Sequence, residues 1–230
     1  GGEAVRLEVP QAEPVAWQPQ DLPLELVYED ADILVIDKPA GVVVHPGAGN
    51  PVGTLANAIL YHFPEQAALP RAGLVHRIDK GTTGLLVVAR NEHARSKLIR
   101  ALECHAVSRR YLAVVDGVPI SGGTLDQPIG RHPHNRLRMA VNPNGKRAVT
   151  HYRVEEKFRA HALVSVELET GRTHQIRVHL AKAGYPLVGD ALYGGRLRIP
   201  PGVSAQFADT LRGFKRQALH ARSLALTHPR

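Results

Sequence analysis

The sequence predicts an α+β fold with a mixed, largely antiparallel central sheet and flanking helices. Apolar or alternating runs of strand length recur from Leu24 to Glu169. Most are separated by short polar turns rather than long crossovers, which favours hairpins and antiparallel pairing. A few segments instead carry apolar residues at three- and four-residue spacing behind a capping side chain, the pattern of helices laid against a sheet.

Val5, Leu7 and Val9 alternate with polar residues and suggest a short strand, which ends at a proline-rich stretch from Pro10 to Leu24. That composition reads as an extended linker or as chain wrapping a surface. LELVYED and ILVIDKP follow as successive strands joined tightly around Glu29–Asp32. VGTLANAILYHF reads as a helix capped by Thr54, and TGLLVVA as a short buried strand. NEHARSKLIRALEC is helical, capped by Asn91, with Leu98, Ile99 and Leu102 on its buried face. RRYLAVVDG, LRMAVN and RAVTHYRVEEKF read as strands, the last two joined by NPNG, a strong hairpin signal. VSVELE alternates cleanly, and THQIRVHLAKAG reads as a helix with Thr173 as N-cap and Gly184 as its stop.

A chain of 230 residues with 43% hydrophobic and 22% charged side chains can bury a real core, which excludes global disorder. Aromatics supply only 5%, so that core rests on Leu, Val, Ile and Ala. The net charge of +8 attracts polyanions without distinguishing RNA from DNA or an anionic membrane. The single cysteine, Cys104, rules out an intrachain disulfide and fits a reducing cytoplasm. The opening GGEAVRLEVP has no apolar signal core, and apolar runs such as Leu85–Ala89 are far too short to span a membrane.

The segment RAGLVHRIDKGTTGLLVVAR sets His76, Arg77, Asp79 and Lys80 in a polar turn just before a buried strand. Opposite charges favour the ionised form of a carboxylate, which can then act as nucleophile or base without a metal. Turn chemistry alone reads this segment as a charged surface turn. The string HRIDKGTTG, however, resembles the HRLDxxTSG-type motif of RluA-type pseudouridine synthases, and the resemblance reverses that balance. It implies that Asp79 is the catalytic carboxylate; His76, Arg77, Lys80 and Thr83 around it are expected to contact the substrate RNA. SRRYLAVV resembles the segment whose tyrosine lies against the target base, here Tyr111. GRTHQIRVHLA resembles the segment whose arginine pairs with the aspartate, here Arg177. VIDKPAGVVVHP and GYPLVGDALYGG are similar to the family's opening strands and to a later structural signature.

HPGAGN, RHPHNR and KRAVTHYRV look closest to the RluD branch, whose substrates are uridines in the helix 69 stem-loop of large-subunit ribosomal RNA. By that resemblance, residues 1–10 are a remnant of an S4-type RNA-binding domain, 11–23 a linker, and 24–230 a catalytic domain shortened at its carboxyl end. The reaction breaks N1–C1′ of uridine and joins C5 to C1′, so no cofactor is expected. Asp79 would attack C1′, add to C6 or take the C2′ proton. Arg77 would fill the space left by the extruded base.

The basic clusters place Arg109, Arg110, Arg131 and Arg136 as phosphate contacts, with Arg172 and His174 beside Arg177 near the site. The expected partner is structured RNA, bound by a monomer away from membranes. Thirteen histidines invite a metal, but no HExxH or CxxC spacing occurs, and none is expected. HPGAGNPVGT lacks the spacing and lysine of a phosphate-binding loop and reads as a turn before a helix cap. The rival functions are a non-catalytic RNA-binding assembly protein on the same fold and a glycosidase-like enzyme acting on nucleosides. Retention of Asp79 together with Tyr111 and Arg177 argues against the first. The basic surface argues against the second.

Overall fold

The computed structural model describes residues 17–47 and 49–230. The strand expected at 1–10 and the start of the linker lie outside these residues. From Trp17 the chain runs without regular structure along the first helix. Asn57 Nδ2 donates to Gln18 O at 2.6 Å, Gln20 N donates to Asn57 O at 3.0 Å, and His62 Nε2 donates to Leu22 O at 2.8 Å. Trp17 and Leu24 pack on the core, so this part of the proline-rich stretch wraps a surface.

The described elements, in order, are β1 (Leu26–Glu29), β2 (Ile33–Lys38), α1 (Leu55–His62), β3 (Thr83–Ala89), α2 (Glu92–Glu103), β4 (Ser108–Asp116) and β5 (Gly123–Asp126). They continue with β6 (Ile129–Arg131), β7 (Met139–Val141), β8 (Val149–Lys157), β9 (His161–Leu168), α3 (Gln175–Lys182), α4 (Ala205–Gly213) and β10 (Leu219–Ala225). Eight strands form one sheet in the order β1-β2-β3-β10-β4-β9-β8-β5. Every neighbouring pair is antiparallel except β3 with β10. The expected α+β class with a largely antiparallel sheet is therefore what the chain forms.

The caps behave as their residue types dictate. Thr54 and Asn57 make a reciprocal capping box on α1, and Asn91 accepts from Ala94 N at 2.8 Å to start α2. Leu98 is buried under α2, but Ile99 and Leu102 are only half-buried because they face a cavity.

Two expectations fail. The NPNG turn forms, with Gly145 N donating to Asn142 O at 2.8 Å, yet it does not join a hairpin. Both of its flanks bond instead to residues 128–131: Asn142 N donates to Pro128 O, while Ile129 and Lys146 exchange two backbone bonds. β7 thus pairs with β6, and β8 with β5 and β9. Thr173 is not the N-cap of α3; His174 stands there with φ 57° and makes no side-chain cap. The end of the chain also supplies two elements the pattern did not show, α4 and β10, and β10 inserts between β3 and β4.

That insertion depends on Gly84. Its φ is +108°, and a Cβ there would lie 2.3 Å from Ala221 O and 2.6 Å from Ala221 N of β10. Strained dihedrals and a backbone clash act together, so Gly84→Ala is expected to destabilise the protein by roughly 3 kcal/mol. A urea midpoint unchanged from the parent would overturn that expectation.

Leu34, Ile36, Ile59, Leu86 and Val88 on one side and Val115, Val164, Val166, Ile176 and Leu180 on the other belong to one continuous core. Tyr111 is part of it, because β4 turns Arg109, Tyr111, Ala113 and Val115 to its buried face. None of the helices among the described residues is long and apolar enough to cross a membrane.

Candidate active site

A cavity of about 550 Å3 opens where the turn before β3, the face of β4 and the loop leading into α3 meet. Asp79, Tyr111 and Arg177 all line it, together with His76, Arg77, Arg109, Arg172 and His174. Residues separated by 98 positions in the chain thereby come into contact: Arg177 NH1 donates to Asp79 Oδ2 at 2.9 Å.

The local fold explains the placement. Thr82 N donates to Asp79 O at 3.0 Å and closes the turn at the head of β3. Behind it, Lys38 is fully buried and its Nζ donates to Pro39 O, Val42 O and, at 3.2 Å, Lys80 O. This ammonium ties the backbone next to Asp79 to the loop after β2; burial lowers its pKa to about 8, with the Asp79 charge acting in the opposite sense. On the other side, the buried Gln175 staples the loop before α3. Its Oε1 accepts from Thr170 Oγ1 and Arg172 N, and its Nε2 donates to Val149 O and Thr150 Oγ1. His174 is thereby held in the left-handed region, a strained backbone of the sort found at functional sites.

Arg177 is gripped from behind. Its Nε and NH2 donate to Asp190 Oδ2 at 2.7 Å and Oδ1 at 2.9 Å, leaving NH1 for Asp79. Asp190 Oδ1 also accepts from Leu192 N and Tyr193 N, and the Tyr193 ring lies 5.0 Å from the guanidinium carbon. Burial works to raise the Asp190 pKa, but the Arg177 pairing and the backbone donors win and hold it below the usual range. Two-point contact on a planar guanidinium fixes direction as well as charge. Asp79 Oδ2 is therefore anchored, while His174 Nε2 stands 3.9 Å from Oδ1, beyond hydrogen-bond range.

His174 is oriented by its neighbours: its Nδ1 lies 2.8 Å from the Tyr193 hydroxyl, which also accepts from Met139 N at 2.8 Å. Burial is the main cause lowering the His174 pKa, opposed by the charge of Asp79. Burial acts on His76 as well. Its Nε2 accepts from Val87 N at 3.1 Å, and burial, with Arg109 adding to it, pushes its pKa down to about 4. It forms cavity wall and is held in its neutral form there. Burial also pushes the Tyr111 phenol up to about 12, against the charge of Arg109.

The other expected contacts divide. Arg77 and Arg172 are exposed at the cavity. Arg109 is buried within it, 8% exposed, whereas Arg110 points to the opposite face of β4 and pairs with Glu167 at 3.4 Å. Thr83 bonds His220 on β10, and Lys80 bonds Asn50; neither lines the cavity, because the strand register gives that place to Thr82. Arg131 and Arg136 lie exposed on the β6–β7 excursion, also outside it. Asp190, Tyr193 and Lys38 were not singled out from the sequence. The first two sit in GYPLVGDALYGG, where one acid amid small and apolar residues was the available signal.

The sequence model of a family described as RNA pseudouridylate synthase matches residues 32–182. The chain is 60% identical over 228 residues to a Pseudomonas aeruginosa protein named ribosomal large subunit pseudouridine synthase D, covering 99% of this chain and 71% of that protein. Against the protein of the same name from Escherichia coli K12, identity is 55% over 229 residues, 100% of this chain and 70% of the other. Two solved human structures are similar. RNA pseudouridylate synthase domain containing 1 gives a TM-score of 0.69 at 28% identity, over 94% of this chain and 82% of that one. Domain containing 4 gives 0.67 at 27% identity, over 88% and 84%.

Proposed function

Because the chain belongs to the RNA pseudouridylate synthase family, we propose that it isomerises specific uridines of large-subunit (23S) ribosomal RNA, in the helix 69 stem-loop, with Asp79 as the catalytic carboxylate. The observation that carries the reading is the Asp79–Arg177–Asp190 chain inside a cavity walled by Tyr111. It leaves one carboxylate oxygen anchored and the other without a hydrogen-bond partner among the described residues. The substrate follows from the names of the relatives and from a surface of net charge +8.

Attack on C1′, addition at C6 and removal of the C2′ proton all need such an oxygen held beside the sugar and base. Arg177 keeps it aimed, so little reorganisation is needed when the nucleotide arrives. Tyr111 offers its ring to the extruded uracil. Burial pushes its phenol up to about 12, so it meets the base as a neutral hydroxyl beside a stacking ring, placed to handle the C5 proton. Arg77, exposed at the rim, occupies the gap in the RNA stack. Residues 24–230 are the catalytic body.

The test is tritium release from unmodified large-subunit ribosomal RNA labelled with ³H at uracil C5. Release is expected, and it should vanish when the helix 69 uridines are replaced by cytidine. Binding without release would favour the assembly-protein reading. Release that survives the replacement would keep the chemistry and overturn the target.

A further inference from the structure

Arg109 is a buried cation without a counter-charge. It is 8% exposed, its Nε has no partner, and its NH2 reaches only Glu169 O at 3.5 Å. Among the described residues no carboxylate pairs with it, and burial lowers its pKa. Removing a guanidinium from water without compensation is costly, so an anion reaching it gains an unusually strong partner. It lines the same cavity as Asp79 and stands two residues from Tyr111 on the same face of β4. Gly171 makes room for it, since a Cβ there would lie 2.7 Å from Arg109 NH1.

We propose that Arg109 is a catalytic residue that takes the negative charge appearing on the uracil carbonyl oxygens when the glycosidic bond breaks. This rests on the reading of Asp79 given above. As N1–C1′ cleaves, the bonding pair leaves with N1, and one negative charge spreads over N1, O2 and O4. The sugar is relieved by Asp79, through an ester to C1′ or by taking the C2′ proton. When C5 joins C1′ the Asp79 ester bond breaks, or Asp79 returns its proton to C2′, so the charge is again on the carboxylate; C5 then loses its proton and N1 gains one. An anion therefore exists on the base only between the two bonds. A cation fixed beside a base stacked on Tyr111 stabilises that stage more than the bound uridine, which accelerates the step rather than tightening binding. A neighbouring phosphate would be bound equally at every stage and would raise affinity alone.

Single-turnover tritium release separates the cases. Arg109→Met should slow release by about 10²–10³-fold, the loss typical of one oxyanion donor, while RNA affinity and its salt slope stay parental. Arg109→Lys should recover part of the rate. Gly171→Ala displaces the guanidinium without removing it and should cost up to about 10²-fold. Fluorine at C5 makes uracil a better leaving group, so the Arg109→Met defect in glycosidic cleavage should be smaller on 5-fluorouridine RNA than on uridine RNA. An equal defect on both substrates would overturn the proposal. So would an unchanged rate with weaker binding and a salt slope lower by about one, the signature of a phosphate contact. If the parent protein itself releases no tritium, the function reading fails and the assignment of Arg109 falls with it.

Discussion

Asp79→Asn is expected to lose roughly 10⁴-fold or more in single-turnover rate, the scale on which removal of a nucleophile or base is felt. Asparagine keeps the size of the side chain and an oxygen able to accept from Arg177 NH1, so the geometry survives while the reacting carboxylate does not. Asp79 is partly open to the cavity, and Arg177 retains its two bonds to Asp190. Thermal stability and RNA affinity should therefore stay close to the parent. Three measurements on one preparation check this: tritium release, a thermal melt and an RNA titration. Full turnover by the variant would remove Asp79 from the chemistry whatever its place in the cavity.

Local grammar was well legible in the sequence. The bounds of β3 follow from a short apolar run behind a glycine-bearing turn, and α1 and α2 begin at the Thr54 and Asn91 caps the pattern marks. Non-local decisions were not legible. The NPNG turn forms as its residues dictate, but its partner strand is chosen by a competing segment, residues 128–131, whose affinity for those edges has no local signature. β10 settles between β3 and β4 only because Gly84 permits the approach, a requirement set by a strand about 135 residues away. The site shows the same division. Motif strings marked Asp79, Tyr111 and Arg177, yet a linear motif does not say which of two neighbouring arginines faces inward. Arg109 and Arg110 looked equivalent as charges; the two-residue period of β4 buries one in the cavity and exposes the other on the far side. His76 likewise reads as a polar contact from the motif alone, whereas its Nε2 is taken up by Val87 N.

Asp190→Ala is expected to be the most damaging single change outside the reacting group. Arg177 would keep its burial, with a side chain 9% exposed, but lose both bonds that fix Nε and NH2; the backbone N–H groups of Leu192 and Tyr193 would lose their acceptor as well. Breaking a buried pair by removing one partner typically costs about 3–5 kcal/mol, because the remaining charge is stranded. The released guanidinium would also re-aim NH1, so Asp79 loses its anchor and activity falls with stability. Coupling should be visible: Asp190→Ala combined with Arg177→Met should cost clearly less than the sum of the two single changes. Acid adds an independent check. The Asp190 pKa is depressed in the folded state, so its contribution is complete above the ordinary aspartate value near 3.8 and is lost as pH falls through the lower, folded value. The stability gap between parent and Asp190→Ala should thus be constant at neutral pH and shrink only in that acid range. A parental urea midpoint, or a gap that instead closed near neutrality, would mean that Arg177 is held by something other than this carboxylate, and the anchoring of Asp79 would need another origin.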